Sequence, residues 1–354
     1  MLYQVYAGAY TDKENTEGIY HLELDTEKER LRVVRSYRES DSPSFLAVTP
    51  DYLYAVSERE DSNEGMVSAC RRNRENGELY FINSIVTQGT AMCHINVWPD
   101  GRYFSAANYM SGSVFTGKIR EDGSLDGVCA FCQHESMGAG ANPVRQDGAH
   151  VHCTQLSEDG RRLYVADLGL DRVFCYDIGK DALLTPAKES AQIYLPAGEG
   201  PRHLVFRNQG RFLYLTAELG NKVFVYETKD GGETYENIQM VSTLPEGYEG
   251  VNIAADIHFS MEGRYLYASN RGMDSLVLYE ADASTGLIET KGYYGAFGKC
   301  PRNFCITPDN NYLLIANQES GNVVLCRRNA DTGELCGKAD EVEIPRVAFV
   351  TAVE

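Results

Sequence analysis

One phrase returns along this chain about every fifty residues, and no other feature constrains the fold as strongly. It opens with an apolar run, passes an acidic-Gly or Asn turn, and closes on Leu-Tyr-x-Ala and a polar rim. The copies occupy Phe45–Glu58, Cys93–Tyr109, His152–Leu168, Arg202–Glu218, Ala255–Arg271 and Arg302–Gln318. Their turns centre on Asp51, Gly101, Gly160, Gly210, Gly263 and Asn310, at spacings of 47 to 59 residues. Strand-like repeats of roughly 40–50 residues are the mark of β-propeller blades. Seven four-stranded blades of about fifty residues account for a chain of 354. The expectation is an all-β, seven-bladed β-propeller with four antiparallel strands per blade, filling residues 1–354 as one domain.

Six copies are visible, and the two ends supply the seventh. Pro345-Arg-Val-Ala-Phe349 resembles Pro201-Arg-His-Leu-Val-Phe206, which opens another copy. Val5–Tyr10 resembles the second half of the phrase, and Gly18–Leu24 reads as the strand after it. N- and C-terminal strands are therefore expected to share one blade, which removes the sheet edges an open array would expose.

Composition narrows the partners. A formal charge of −18 argues against nucleic acid, whose phosphates select basic surfaces. Any site for a small anion has to be assembled from local Arg and Lys residues. No run approaches the roughly 20 apolar residues of a membrane span. The N-terminus enters a strand pattern with no basic region or cleavage site, so a cytoplasmic location is expected. Of the ten Cys residues, several, such as Cys175, Cys305 and Cys326, stand in for apolar residues within strands. They read as reduced thiols packed as small hydrophobes.

Hairpin geometry locates a candidate site. With the turn as midpoint, residues eight before and eight after it face each other at the open end. That pairs Arg202 with Glu218, His152 with Leu168, Ala255 with Arg271, Arg302 with Gln318 and Cys93 with Tyr109, while the tighter first copy brings in Glu58. Arg346 falls in the register of Arg202, and His150 shares the strand and face of His152 by two-residue alternation. A propeller gathers all of these at one mouth of its channel. Arg, His and Glu together suit an anionic substrate and acid–base chemistry. Arg202 and Glu218 also fit an ordinary cross-strand ion pair, so the weight rests on convergence of the set.

Neither a metal nor a cofactor is expected. Cys129-x-x-Cys132 with His134 is a lone half-motif, and the Arg-rich mouth opposes a cation at His150-x-His152. The chain lacks a phosphate-cradling Gly loop and a G-x-S-x-G elbow.

The phrases Gly148-Ala-His-Val-His152, Gly200-Pro-Arg-His203, Thr216-Ala-Glu-Leu219, Ala268-Ser-Asn-Arg-Gly272 and Cys300-Pro-Arg-Asn303 with Ala316-Asn-Gln318 carry a family resemblance. Weaker echoes lie in Tyr6-Ala-Gly-Ala-Tyr-Thr11 and Ser42-Pro-Ser-Phe45. Across essentially its whole length the chain resembles the seven-bladed lactonase family, which includes propeller-type 6-phosphogluconolactonases and fungal carboxy-muconate lactonising enzymes. The resemblance implies that the active-site His is one of the pair His150/His152, with Arg202, Glu218 and Arg271 as its partners. Arg302, Gln318, Arg346 and Glu58 are the expected substrate-binding neighbours. The implied activity is metal-independent hydrolysis of 6-phosphoglucono-1,5-lactone to 6-phosphogluconate, a step of carbohydrate metabolism. Two alternatives stand beside it: a lactonising reaction on a muconate-type dicarboxylate, and a non-catalytic propeller that binds a sugar acid or a protein. The chain departs from the family in having Ala149 where Pro is frequent, and across Asn252–His258, which carries Asp256 and His258.

Overall fold

A computed structural model describes residues 1–135 and 138–353. They form seven antiparallel sheets, each built from consecutive strands except the one that joins the chain ends. In that closing blade, Val347–Val353 is innermost and pairs with Leu2–Ala9, followed by Ile19–Asp25 and Arg30–Tyr37. Blades one to six then follow in chain order, with innermost strands Leu46–Val48, Met92–Val97, Val151–Leu156, Pro201–Arg207, Ile253–Phe259 and Pro301–Ile306. Each innermost strand touches those of the blades on either side, and the strand of the closing blade contacts both the first and the sixth. The expected ring is therefore closed, and its last blade is made from both ends of the chain.

One blade departs from the plain pattern. The outer edge of the third blade is split into Leu184–Pro186 and Ile193–Tyr194, giving a five-stranded sheet. Pro186 lacks the N–H that a continuing ladder needs, and a short 3₁₀ turn, Glu189–Ala191, fills the gap. No helix among the described residues is long and apolar enough to cross a membrane.

The apolar core lies between blades. Val5, Leu22, Leu314, Leu325 and Val350 pack the closing blade against the sixth, and Tyr54, Val67, Phe104 and Phe115 join the first to the second. Strands buried on both faces read as near-continuous apolar runs, as in Leu276-Val-Leu-Tyr279, all fully buried.

The Tyr of the repeated phrase has a defined task. From the second strand of its own blade, each hydroxyl donates to a Gly carbonyl in the outer turn of the next blade. Tyr6 reaches Gly77 (2.7 Å), Tyr54 reaches Gly123 (3.1 Å), Tyr164 reaches Gly232 (3.4 Å), Tyr214 reaches Gly286 (2.8 Å) and Tyr267 reaches Gly333 (2.5 Å). All five glycines have positive φ, between 70° and 89°, a conformation that disfavours a side chain. The phrase thus pairs a large buried ring with a polar anchor across each of five blade junctions.

Tyr214→Phe keeps the ring but strands the Gly286 carbonyl, and should destabilise the protein by about 1–3 kcal/mol. Tyr214→Ala also opens a cavity and should cost about 3–5 kcal/mol. Equilibrium denaturant unfolding measures both; equal stability of Tyr214→Phe and the parent would remove the clamp from the account.

Candidate active site

The repeat delivers side chains to one mouth through a shared backbone defect. In six blades the innermost strand carries a β-bulge near its start, between Met92 and His94, Val151 and Cys153, Pro201 and Leu204, Ala254 and Ile257, Pro301 and Asn303, and opposite Gly8–Ala9 in the closing blade. A bulge re-aims the extra residue out of the ladder. His152, Arg202 and Arg302 all stand at these positions. Facing them on the neighbouring strand, the Glu218 amide donates to Gly200 O (2.7 Å) and the Gln318 amide to Cys300 O (2.9 Å). Tyr109 bonds Ala91 O (2.9 Å) and Leu168 bonds His150 O (2.9 Å) in the same way.

That register corrects two expectations. The Tyr10 amide donates to Arg346 O (3.2 Å), so Arg346 stands where Gly200 and Cys300 stand, and Ala348 occupies the position of Arg202. A proline two residues too early in the closing blade mimicked the Pro-Arg of the fourth. Arg346 still reaches the rim, pairing with Asp12 (3.1 Å) beside Tyr10. His150 lies ahead of the strand that begins at Val151, not on it. The residues at this entry position share a left-handed backbone in five blades: Ser42, Ala91, Gly200, Cys300 and Arg346 have φ from 46° to 65°. Only one of them is glycine, so the sequence carried little sign of it.

A cleft of about 470 Å³ opens at this mouth, lined among others by Glu58, Arg145, His150, His152, Glu218 and Arg271. Arg302, Gln318 and Arg346 complete its wall. Larger grooves, up to about 1390 Å³, lie between blades near the outer turns, where Arg102 and Arg120 are already paired with Asp100 and Asp126.

Glu218 is the centre of the site. Its side chain is 1% exposed, and three guanidinium groups surround it: Arg145 at 2.5 Å, Arg271 at 2.6 Å and Arg202 at 2.9 Å. Burial alone pushes a carboxyl pKa up, but Arg271, Arg202 and Arg145 together hold it far below the ordinary range. Glu218 is therefore a fixed negative charge at neutral pH and a poor proton acceptor. Arg202 does not reach the cleft wall; it is 2% exposed and braces Glu218 from behind. Its pKa falls to about 10 through burial and the nearby Arg271, so it stays charged at pH 7. Across the cleft, Arg302 lies 3.4 Å from Glu58 and over the Tyr10 ring.

His152 contributes a different character. It is 4% exposed, its Nδ1 lies 4.0 Å from Cys93 Sγ, and its ring meets Tyr109 edge-on. Burial, followed by Arg202, His203 and Arg302, holds its pKa well below 6.5, so the imidazole is neutral at pH 7. His150 stacks on the other side of Tyr109, and both its nitrogens are engaged, with Asp147 (2.7 Å) and Tyr109 O (3.1 Å). The two histidines thus converge through Tyr109 and do not form a chelating pair. Among the described residues, no group of three or more His, Cys, Asp or Glu side chains is placed to hold a metal ion.

Arg145 is the residue that the repeat does not reveal, because it comes from the long connection between the strands Leu125–Gln133 and Val151–Leu156. That loop is pinned at its base. Asn142 caps the Arg145 amide (3.2 Å), and Gln146 donates to Leu168 O (2.9 Å). Asp167 accepts the amides of His150 (2.8 Å) and Gly169 (3.1 Å) and pairs with His134 (2.7 Å). The only advance signal was the loop's length.

Comparison with known proteins follows the same lines. Residues 4–352 match the family model described as "Lactonase, 7-bladed beta-propeller". The chain is 31% identical over 340 residues to a 6-phosphogluconolactonase of Bacillus subtilis, covering 96% of this chain and 95% of that protein. A 6-phosphogluconolactonase of Formosa agariphila is also 31% identical, over 337 residues and 94% of each chain. The solved periplasmic gluconolactonase of Pseudomonas aeruginosa superposes with a TM-score of 0.93 at 30% identity, over 100% of this chain and 99% of that one. With sequence, fold and coverage in agreement, the chain belongs to the lactonase family of seven-bladed β-propellers.

Proposed function

We propose that this protein hydrolyses 6-phosphoglucono-1,5-lactone to 6-phosphogluconate at the cleft around Glu218. The observation that carries the reading is the charge imbalance of the floor: three guanidinium groups share one buried carboxylate beside a neutral imidazole. The net positive charge is local, in a chain whose formal charge is −18, and it suits a small phosphorylated or carboxylated substrate. The names of the Bacillus and Formosa relatives point to the phosphorylated lactone.

In this scheme Arg145 and Arg271 hold the substrate anion with Arg302 across the cleft, while Glu218 keeps the first two apart, one on each carboxylate oxygen. His152 is the general base, since Glu218 is held too firmly as a carboxylate to accept a proton. Water oxygen attacks the lactone carbonyl carbon as His152 takes its proton. The tetrahedral oxyanion is met by guanidinium N–H donors fixed before reaction. Collapse breaks the bond to the ring oxygen, which leaves as a hydroxyl by taking the proton back from His152. A carboxylate and one proton are released. Glu58, Gln318 and the rim residue Arg346 are placed to contact the sugar hydroxyls.

The test is turnover of freshly prepared 6-phosphoglucono-1,5-lactone by purified protein, followed by proton release against the spontaneous rate. Acceleration supports the reading, and its absence overturns it. His152→Asn should lower kcat by about 10²–10⁴-fold, the range for loss of a positioned base. Arg145→Ala, on a loop with the side chain one-third exposed, should raise KM by roughly 10–100-fold through loss of charge-assisted hydrogen bonds with little change in Tm.

The pH profile has a definite sign. A base whose pKa is depressed works at full strength above that pKa and fails below it. Because His152 is held well below 6.5, kcat/KM should stay level between pH 8 and 6.5 and fall only in more acid solution. An acid limb centred at or above pH 7 would show that His152 is not the base.

A further inference from the structure

Behind the cleft, the segment that departs from the repeat builds a polar relay across the hub. Asp256 is 2% exposed, and its carboxylate gathers donors from three adjacent innermost strands. His203 Nδ1 donates to Oδ1 (2.7 Å), while His258 Nε2 (2.8 Å) and Asn303 Nδ2 (2.5 Å) donate to Oδ2. Asn303 in turn accepts the Val350 amide of the closing blade (2.7 Å). Because a carboxylate only accepts, His203 must carry its proton on Nδ1. Arg202 Nη1 lies over the face of this neutral ring, 3.3 Å from Nε2 and 3.5 Å from Nδ1. The His203 ring is buried and wedged edge-on between His94 (5.5 Å) and His152 (5.3 Å), which leaves it no freedom to turn.

We infer that Asp256 and His203 are positioning residues: the carboxylate fixes the neutral His203 ring, and the face of that ring seats the Arg202 guanidinium that braces Glu218. Arg202 has to be aimed, because a buried guanidinium between Glu218 and Arg271 is attracted by one and repelled by the other. Seating Nη1 on the His203 ring leaves Nε against Glu218 at 2.9 Å. Glu218 is then held from behind and presents its other oxygen to Arg145. The inference rests on the proposed use of the cleft for an anion. A neutral His203 at pH 7 agrees with it: burial and the adjacent Arg202 bring its pKa to about 4 despite Asp256.

A merely structural stitch and a positioning pair are separable with two variants of one residue. In His203→Asn, the amide nitrogen replaces Nδ1 and keeps the bond to Asp256, but no ring lies against Arg202. In His203→Phe, a ring face remains against Arg202 while the Asp256 bond is given up. Titration calorimetry with 6-phosphogluconate and thermal unfolding are measured on both variants and on wild type, together with lactone turnover. Expected are tenfold or weaker binding and a matching fall in kcat/KM for His203→Asn at near wild-type Tm. His203→Phe should recover most of that loss while its Tm falls. Wild-type binding in His203→Asn, or loss in both variants only in step with Tm, overturns the inference. The nitrogen-15 shifts of His203 at pH 7 supply a readout independent of any ligand: a protonated Nδ1 with a bare Nε2 is required, and the opposite tautomer refutes the pair. Absence of wild-type lactone turnover with the His203 results intact would instead reject the proposed reaction alone.

Discussion

A propeller blade cannot bury itself. Its apolar residues face the two neighbouring blades, so every sheet here depends on both partners, and the ring has to close. Closure is achieved by Val347–Val353 pairing with Leu2–Ala9, residues at opposite ends of the chain. All else in the molecule follows from that constraint. With seven equivalent strands converging on one channel, a bulge repeated at one level becomes a ring of inward-facing side chains. His152, Arg202 and Arg302 come from three different blades and owe their proximity to the wheel alone.

The second determinant is electrostatic. Guanidinium groups repel, and burying several in one place is costly without a counter-charge. Glu218 supplies it, at 1% exposure and within 2.9 Å of three arginines. The arrangement holds positive charge in excess while keeping each cation oriented. It also divides the labour between the acidic and basic groups: the carboxylate is too strongly held to move protons, whereas the neutral His152 is free to do so. Lys222 with Glu199 and Arg302 with Glu58 are one-to-one pairs and lack this excess.

Much of this was legible in the chain before any coordinates. The turn spacing foretold the blades, and the residues eight positions from each turn foretold His152, Arg202, Glu218, Arg271, Arg302 and Gln318 at one mouth. The repeated Tyr was visible too, although its partner glycine, about seventy residues ahead in the next blade, was not. Four features escaped because their signals are weak in sequence. The bulge is an insertion of one residue with no fixed identity, so the closing blade was aligned two residues early and Arg346 was given the place of Ala348. Left-handed entry residues are usually betrayed by glycine, but here Ser42, Ala91, Cys300 and Arg346 adopt the same backbone. Arg145 belongs to a loop outside the repeat, where no periodicity applies, and Asp256 became meaningful only once three innermost strands were seen to meet on it.

The central claim is that the surplus of positive charge around Glu218 is the place where the substrate anion binds. A crystal structure of the complex with 6-phosphogluconate tests it most directly. The account predicts an anionic group of the product within hydrogen-bond distance of Arg145 and Arg271, with its remainder extending toward Gln318 and Glu58 and a carboxyl near His152. A product molecule seated in one of the inter-blade grooves, with the cleft around Glu218 holding only water, would contradict it.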